Sequence, residues 1–129
     1  MNRRGFTLVE VMIALIILTI VSLSLGRFVA SFSHTVGIST IRTIAIDVAT
    51  EQLELVRGNA NPTAYPTLVA NFSGNVVTGF PSYPRMTRTT TVVRTTGNNP
   101  RRDYTTITVT VTEPTLGTPV NLTAVVAAP

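Results

Sequence analysis

A single carboxylate, Glu10, stands near the start of a long apolar run, five residues after Gly5 and six or seven after the pair Arg3-Arg4. An isolated acid among lipid-soluble residues costs free energy, and ionisable side chains in such segments are characteristically paired. The chemistry this placement points to is the pairing of a buried anion with a cation from elsewhere. Two further groups are chemically loaded. Arg85, Arg88, Arg94, Arg101 and Arg102 give the second half of the chain a positive balance and could contact phosphates or an acidic protein surface. The other set is sparse: after Arg57 the only acids are Asp103 and Glu113, too few for a calcium cage of six to eight oxygens.

Composition closes off most catalytic chemistry. There is no cysteine, which removes disulfide frameworks, thiol nucleophiles and thiolate zinc sites. No lysine occurs, so the net charge of +4 rests on arginine, and Schiff-base or P-loop chemistry has no lysine to use. His34 is the one histidine; it lies far in sequence from Asp103 and Glu113, and a surface or packing role fits it. No cofactor and no metal are implied, and the expectation is a non-enzymatic protein.

The elements that position these residues are legible. Phe6 to Leu25 carries thirteen Leu, Ile, Val and Phe residues with Glu10 as its one charge. About 20 residues at roughly 1.5 Å each match a hydrocarbon thickness of roughly 30 Å. On the insertion scale the thirteen supply about −4 to −8 kcal/mol, against about +2.5 to +3.5 for a central acid and less near an end, so insertion prevails. A cleaved secretory signal has a shorter apolar core and an A-x-A-like site, and the SLSLGRF stretch offers a poor one. Arg3 and Arg4 before the span place the amino terminus in the cytoplasm and everything after Arg27 outside.

The segment RRGFTLVE with the following VMIALIILTIV resembles the processing and assembly signal of type IV pilins and type II secretion pseudopilins. The resemblance implies cleavage between Gly5 and Phe6 by a prepilin peptidase, N-methylation of Phe6, and pairing of Glu10 with the Phe6 amine of a neighbouring subunit. It further implies other pilin or pseudopilin subunits, an ATPase and an inner-membrane assembly platform as partners, with storage in the lipid bilayer before assembly. The helix segment AIDVATEQLELVRG resembles that of minor subunits, the pseudopilin called I and its pilus counterpart called V. Arg27 stands where many major pilins have a helix-kinking proline.

Beyond Arg27 the pattern turns amphipathic. Ile38, Ile41, Ile44, Ala45, Val48, Ala49, Leu55 and Val56 share one helical face, with Thr43, Asp47, Thr50, Glu51 and Glu54 opposite. Gly58, entering a left-handed conformation, and Pro62 after it predict the stop; one helix from about Phe6 to Arg57 would measure roughly 78 Å, with Gly26 and Gly37 as points of bending. From Asn59 on, TRTTTVVRTT, DYTTITVTVT and VNLTAVVA read as strands, in the second of which Ile107, Val109 and Val111 alternate with threonines. GNNP with Arg101 and Arg102 reads as a hairpin connection, and Pro62 to Pro84 as an irregular loop containing one short strand.

The expectation is therefore an α+β, pilin-like fold: a long amino-terminal α-helix packed on a small antiparallel β-sheet of three or four strands. Its parts are a cleaved leader (1–5), a transmembrane and filament-core helix (6–26), an amphipathic periplasmic helix (27–58) and a small β-sheet domain (59–129). The function expected is that of a minor pilin or pseudopilin in a type II secretion pseudopilus or type IV pilus. Two alternatives stand beside it: a DNA-uptake minor pilin, in which the arginines would meet nucleic acid, and a single-pass membrane-anchored binding domain.

Overall fold

A computed structural model describes residues 5–97 and 103–129, and its chain forms two compact units, residues 1–37 and 38–129. The elements are α1 (Leu8–Gly58), a short 3-10 turn (Tyr65–Thr67), α2 (Leu68–Phe72), β1 (Asn75–Phe80), β2 (Tyr83–Thr95), β3 (Tyr104–Thr112), a second 3-10 turn (Pro114–Leu116) and β4 (Val120–Ala127). The four strands form one antiparallel sheet in sequence order. The α+β, pilin-like architecture is the one expected from the sequence.

In the first unit α1 is exposed, and from Leu8 to Leu25 it is apolar on all sides with Glu10 as its one charge. An 18-residue window reaches a mean hydropathy of 2.6 with none of its residues buried, and this helix is long and apolar enough to cross a membrane. Helical structure runs unbroken through Gly26 and Gly37. Thr19 and Ser24 donate their hydroxyls to the carbonyls of Leu15 and Ile20, so these polar side chains are satisfied within the helix itself.

In the second unit the carboxy-terminal stretch of α1 covers one face of the sheet. Ala45, Ala49, Gln52 and Val56, at helical spacings of four, three and four, are buried. They meet Met86 and Val92 of β2, Ile107, Val109 and Val111 of β3, and Val120 of β4, in a core closed at one side by Tyr65 and Leu68. Alternation along β3 sorts its side chains as expected: Ile107, Val109 and Val111 inward, Thr106, Thr108 and Thr110 outward.

Three expectations need correction. Leu55 is not on the buried face; it is 49% exposed, while Gln52 is 5% exposed. Position overrides polarity here, because the seam through 45, 49, 52 and 56 passes about 90° from residue 55 at 100° per residue. The helix does end at Gly58, yet Gly58 is not left-handed, since positive φ among the described glycines occurs at Gly74, Gly79 and Gly117. The end is capped instead by Asn59, whose side-chain amide donates to the Leu55 carbonyl at 2.9 Å and whose backbone N–H reaches Leu55 and Val56. Finally, the stretch from Pro62 to Pro84 is more ordered than a loop. Asn61 Oδ1 accepts from the N–H groups of Thr63 and Ala64, the chain winds through the 3-10 turn into α2, and β1 pairs with β2 up to an irregularity between Thr78 and Phe80. Residues 98–102 of the connection GNNP-Arg101-Arg102 lie outside the described residues, but its flanks, Thr95 and Tyr104, are paired as in a hairpin.

Candidate functional site: the amino-terminal segment

The residues from Gly5 to Thr7 are non-helical, and α1 begins at Leu8. Thr7 sets that start. Its carbonyl accepts the Val11 N–H at 3.2 Å, the first i to i+4 bond of the helix, and the Glu10 N–H at 3.1 Å. Its hydroxyl oxygen accepts the same Glu10 N–H at 3.3 Å, as an N-cap does. Thr7 and Glu10 have the T-x-x-E spacing of a capping box, a signal visible in the sequence that the reading above left unused.

Glu10 lies in the first turn of α1, where the positive end of the helix dipole favours an anion. Its carboxylate makes no hydrogen bond or ion pair with any described residue. It sits in a shallow, mostly apolar groove on one helix face, lined by Phe6, Val11, Ala14, Leu15 and Leu18. Phe6 is 83% exposed, so this residue and the acid are both open to an external partner. Arg3 and Arg4 lie outside the described residues.

The described arginines of the sheet, Arg85, Arg88 and Arg94, do not gather into one exposed patch. Arg85 is exposed and approaches Glu113 at 3.9 Å. Arg88 and Arg94 share the inward register of β2 with Met86, Thr90 and Val92, and the Arg88 Nε is enclosed without a hydrogen-bond partner. Arg94 forms a two-bond ion pair with Asp103, and its guanidinium stacks 5.1 Å above the centre of the Tyr65 ring. Arg101 and Arg102 lie outside the described residues. The Tyr65, Arg94 and Asp103 cluster was not foreseeable from local sequence, since its members come from three separate elements.

Asp103 and Glu113, the two acids after Arg57, are both held ionised. The hydrogen bonds from Arg94 lower the Asp103 pKa below the usual carboxylate range, against the opposing effect of burial. The Thr115 hydroxyl and backbone N–H do the same for Glu113, with Arg85 as a lesser cause. Among the described residues no group of three or more His, Asp or Glu side chains could hold a metal ion.

Comparison with known proteins bears on the same amino-terminal stretch. Residues 1–26 match the family model described as the prokaryotic N-terminal methylation motif, the signal of type IV prepilins. No curated protein and no solved structure matches the chain.

Proposed function

We propose that this chain is a minor pilin or pseudopilin, a structural subunit of a type II secretion pseudopilus or type IV pilus. The carrying observation is one segment with three properties. Residues 1–26 match the methylation motif, the helix they enter is exposed and apolar through Leu25, and the one acid of that stretch, Glu10, lies in the first turn with no partner among the described residues. A prepilin peptidase cuts between Gly5 and Phe6 at the cytoplasmic face, the Phe6 amine is methylated, and α1 holds the subunit in the inner membrane with residues 38–129 on the far side. Assembly then replaces lipid contacts with helix contacts to other subunits.

Glu10 acts in this scheme as a register mark. A carboxylate and an ammonium are each costly alone in an apolar filament core and stabilise one another when they meet; deleting one leaves the other buried and uncompensated. A subunit out of register by one helical turn carries that cost in full. The work of the protein is mechanical, and no side chain is assigned a catalytic role.

Co-expression with an active prepilin peptidase, followed by mass spectrometry, tests the reading. The expected product begins at methylated Phe6; an intact leader overturns it. Glu10→Ala is expected to insert into the membrane normally and to be depleted from filaments, and normal incorporation would remove the register role.

A further inference from the structure

We infer that Thr7 is a positioning residue for processing: by capping α1 it stops the helix just after the Gly5–Phe6 bond and keeps that bond in non-helical backbone. The inference rests on the reading above that this bond is cut. Hydrolysis adds the water oxygen to the Gly5 carbonyl carbon and breaks the bond to the Phe6 nitrogen, which takes up both protons of that water. The products are a Gly5 carboxylate and a Phe6 ammonium. Within a helix the carbonyl would be engaged by an N–H four residues on, and neighbouring side chains would wrap the peptide plane, so the segment would have to unwind before a protease could reach it.

What prevents winding is the Thr7 side chain. Residues 5–7 are non-helical, and the Thr7 carbonyl already accepts the first helical bond from Val11 while its hydroxyl occupies the Glu10 N–H. Upstream, Phe6 and the two arginines are compatible with a helix, Gly5 is a weak stop, and the next side chain suited to capping is Asn2. Near an apolar phase, unpaired N–H groups are expensive. Without the hydroxyl, the favourable response is for α1 to grow backwards through Phe6 and Gly5, enclosing the bond that must be cut. Glu10 thus takes part twice, its N–H in the cap and its carboxylate kept free for a partner.

Shape and capping can be separated by substitution in the full chain, reconstituted in detergent with purified prepilin peptidase. Thr7→Val keeps the shape and loses the acceptor; Thr7→Ser and Thr7→Asn keep an acceptor, the latter with a different shape. An N-cap worth about 1 kcal/mol corresponds to about fivefold in the helix-extension equilibrium, so Thr7→Val is expected to lower kcat/KM measurably, by up to about fivefold, with Ser and Asn staying close to the wild type. Carbon chemical shifts of Gly5 and Phe6 should move toward helical values in Thr7→Val alone. Wild-type turnover of Thr7→Val overturns the inference, as does equal slowing of Val and Asn, which would mean that the protease reads the side chain directly. A wild-type chain that is never cut would instead overturn the processing reading itself.

Discussion

Arg94 and Asp103 close the end of the β2–β3 hairpin with two parallel hydrogen bonds, Nε to Oδ1 at 3.0 Å and Nη2 to Oδ2 at 2.6 Å. The same carboxylate accepts from the Tyr65 hydroxyl at 3.4 Å, and the Asp103 carbonyl accepts the Ala128 N–H at 3.0 Å. One node therefore ties together the turn after α1, both strands of the hairpin and the end of β4. The fork of arginine suits this double contact as a lysine would not.

The node makes stability depend on acid. Asp103 has its folded pKa lowered, chiefly by the Arg94 hydrogen bonds, so the stabilisation is present above the unfolded carboxylate value and is lost as pH falls through the folded one. The urea midpoint of a soluble 38–129 fragment is expected to hold from pH 7 to about 5 and then to decline below about 4, the ordinary range of an aspartate. Asp103→Asn should lower the midpoint at pH 7 and flatten the decline, leaving the smaller slope contributed by Glu113, whose pKa is lowered in the same direction. A variant with an unchanged acid profile would show that the pair does not couple to folding.

The sheet needs its helix. Without α1 the inward side chains of Val92, Ile107, Val109 and Val111 would face water. At about 1.5–3 kcal/mol for each buried aliphatic side chain, these four represent about 6–12 kcal/mol, as large as the whole stability of a typical domain at about 5–15 kcal/mol. A fragment of residues 59–129 is expected to show no cooperative thermal transition by circular dichroism, whereas 38–129 should unfold in one step. Cooperative folding of 59–129 would contradict this account of the core.

What the sequence disclosed and what it hid follow from the range of the interactions. The apolar span, the strand alternation around Ile107, Val109 and Val111, and the prepilin-type signal are local patterns, readable one residue at a time. Gln52 was assigned to neither helical face, because its polarity argued against burial while its position on the helix demanded it. The order of Pro62–Pro84 depends on Leu68 reaching a core built from α1 and the sheet, and short propensities there are weak. At the candidate site, Glu10 stood out in the sequence as the one charge of the apolar run, while Phe6 entered only through the resemblance. Inward-facing Arg88 and Arg94 could be told from exposed Arg85 only once β2 had a register.

Neighbouring residues on α1 provide a direct measure of that register. Val56 is fully buried, and Val56→Ala should cost about 1.5–3 kcal/mol of unfolding free energy in the 38–129 fragment. Leu55 is half exposed, and Leu55→Ala should stay within about 0.5 kcal/mol of the wild type. The apolar pattern alone would have assigned both to the core. Comparable losses from the two substitutions in chemical denaturation would restore that assignment.

The inner face also contains two hydroxyls with nothing to bond. Thr90 and Thr105 are fully buried, on adjacent strands, and neither Oγ1 has a hydrogen-bond partner. Thr90 lies between Val109 of β3 and Asn75 of β1, and Thr105 between Val126 of β4 and Arg94 of β2; neither hydroxyl is bonded to any of these side chains. A buried polar group left unpaired costs about 1–3 kcal/mol, while a net hydrogen bond is worth about 0.5–1.5 kcal/mol, so removing an unpaired hydroxyl should relieve more than it forfeits. Valine preserves the branched shape and the strand preference. Thr90→Val and Thr105→Val are therefore each expected to raise the stability of the 38–129 fragment, by up to about 1 kcal/mol, in urea denaturation at pH 7. A loss of about 1 kcal/mol or more from either would mean that its hydroxyl is satisfied in solution, through a buried water or a rotamer shift, and that the inner face is wetter than its geometry implies.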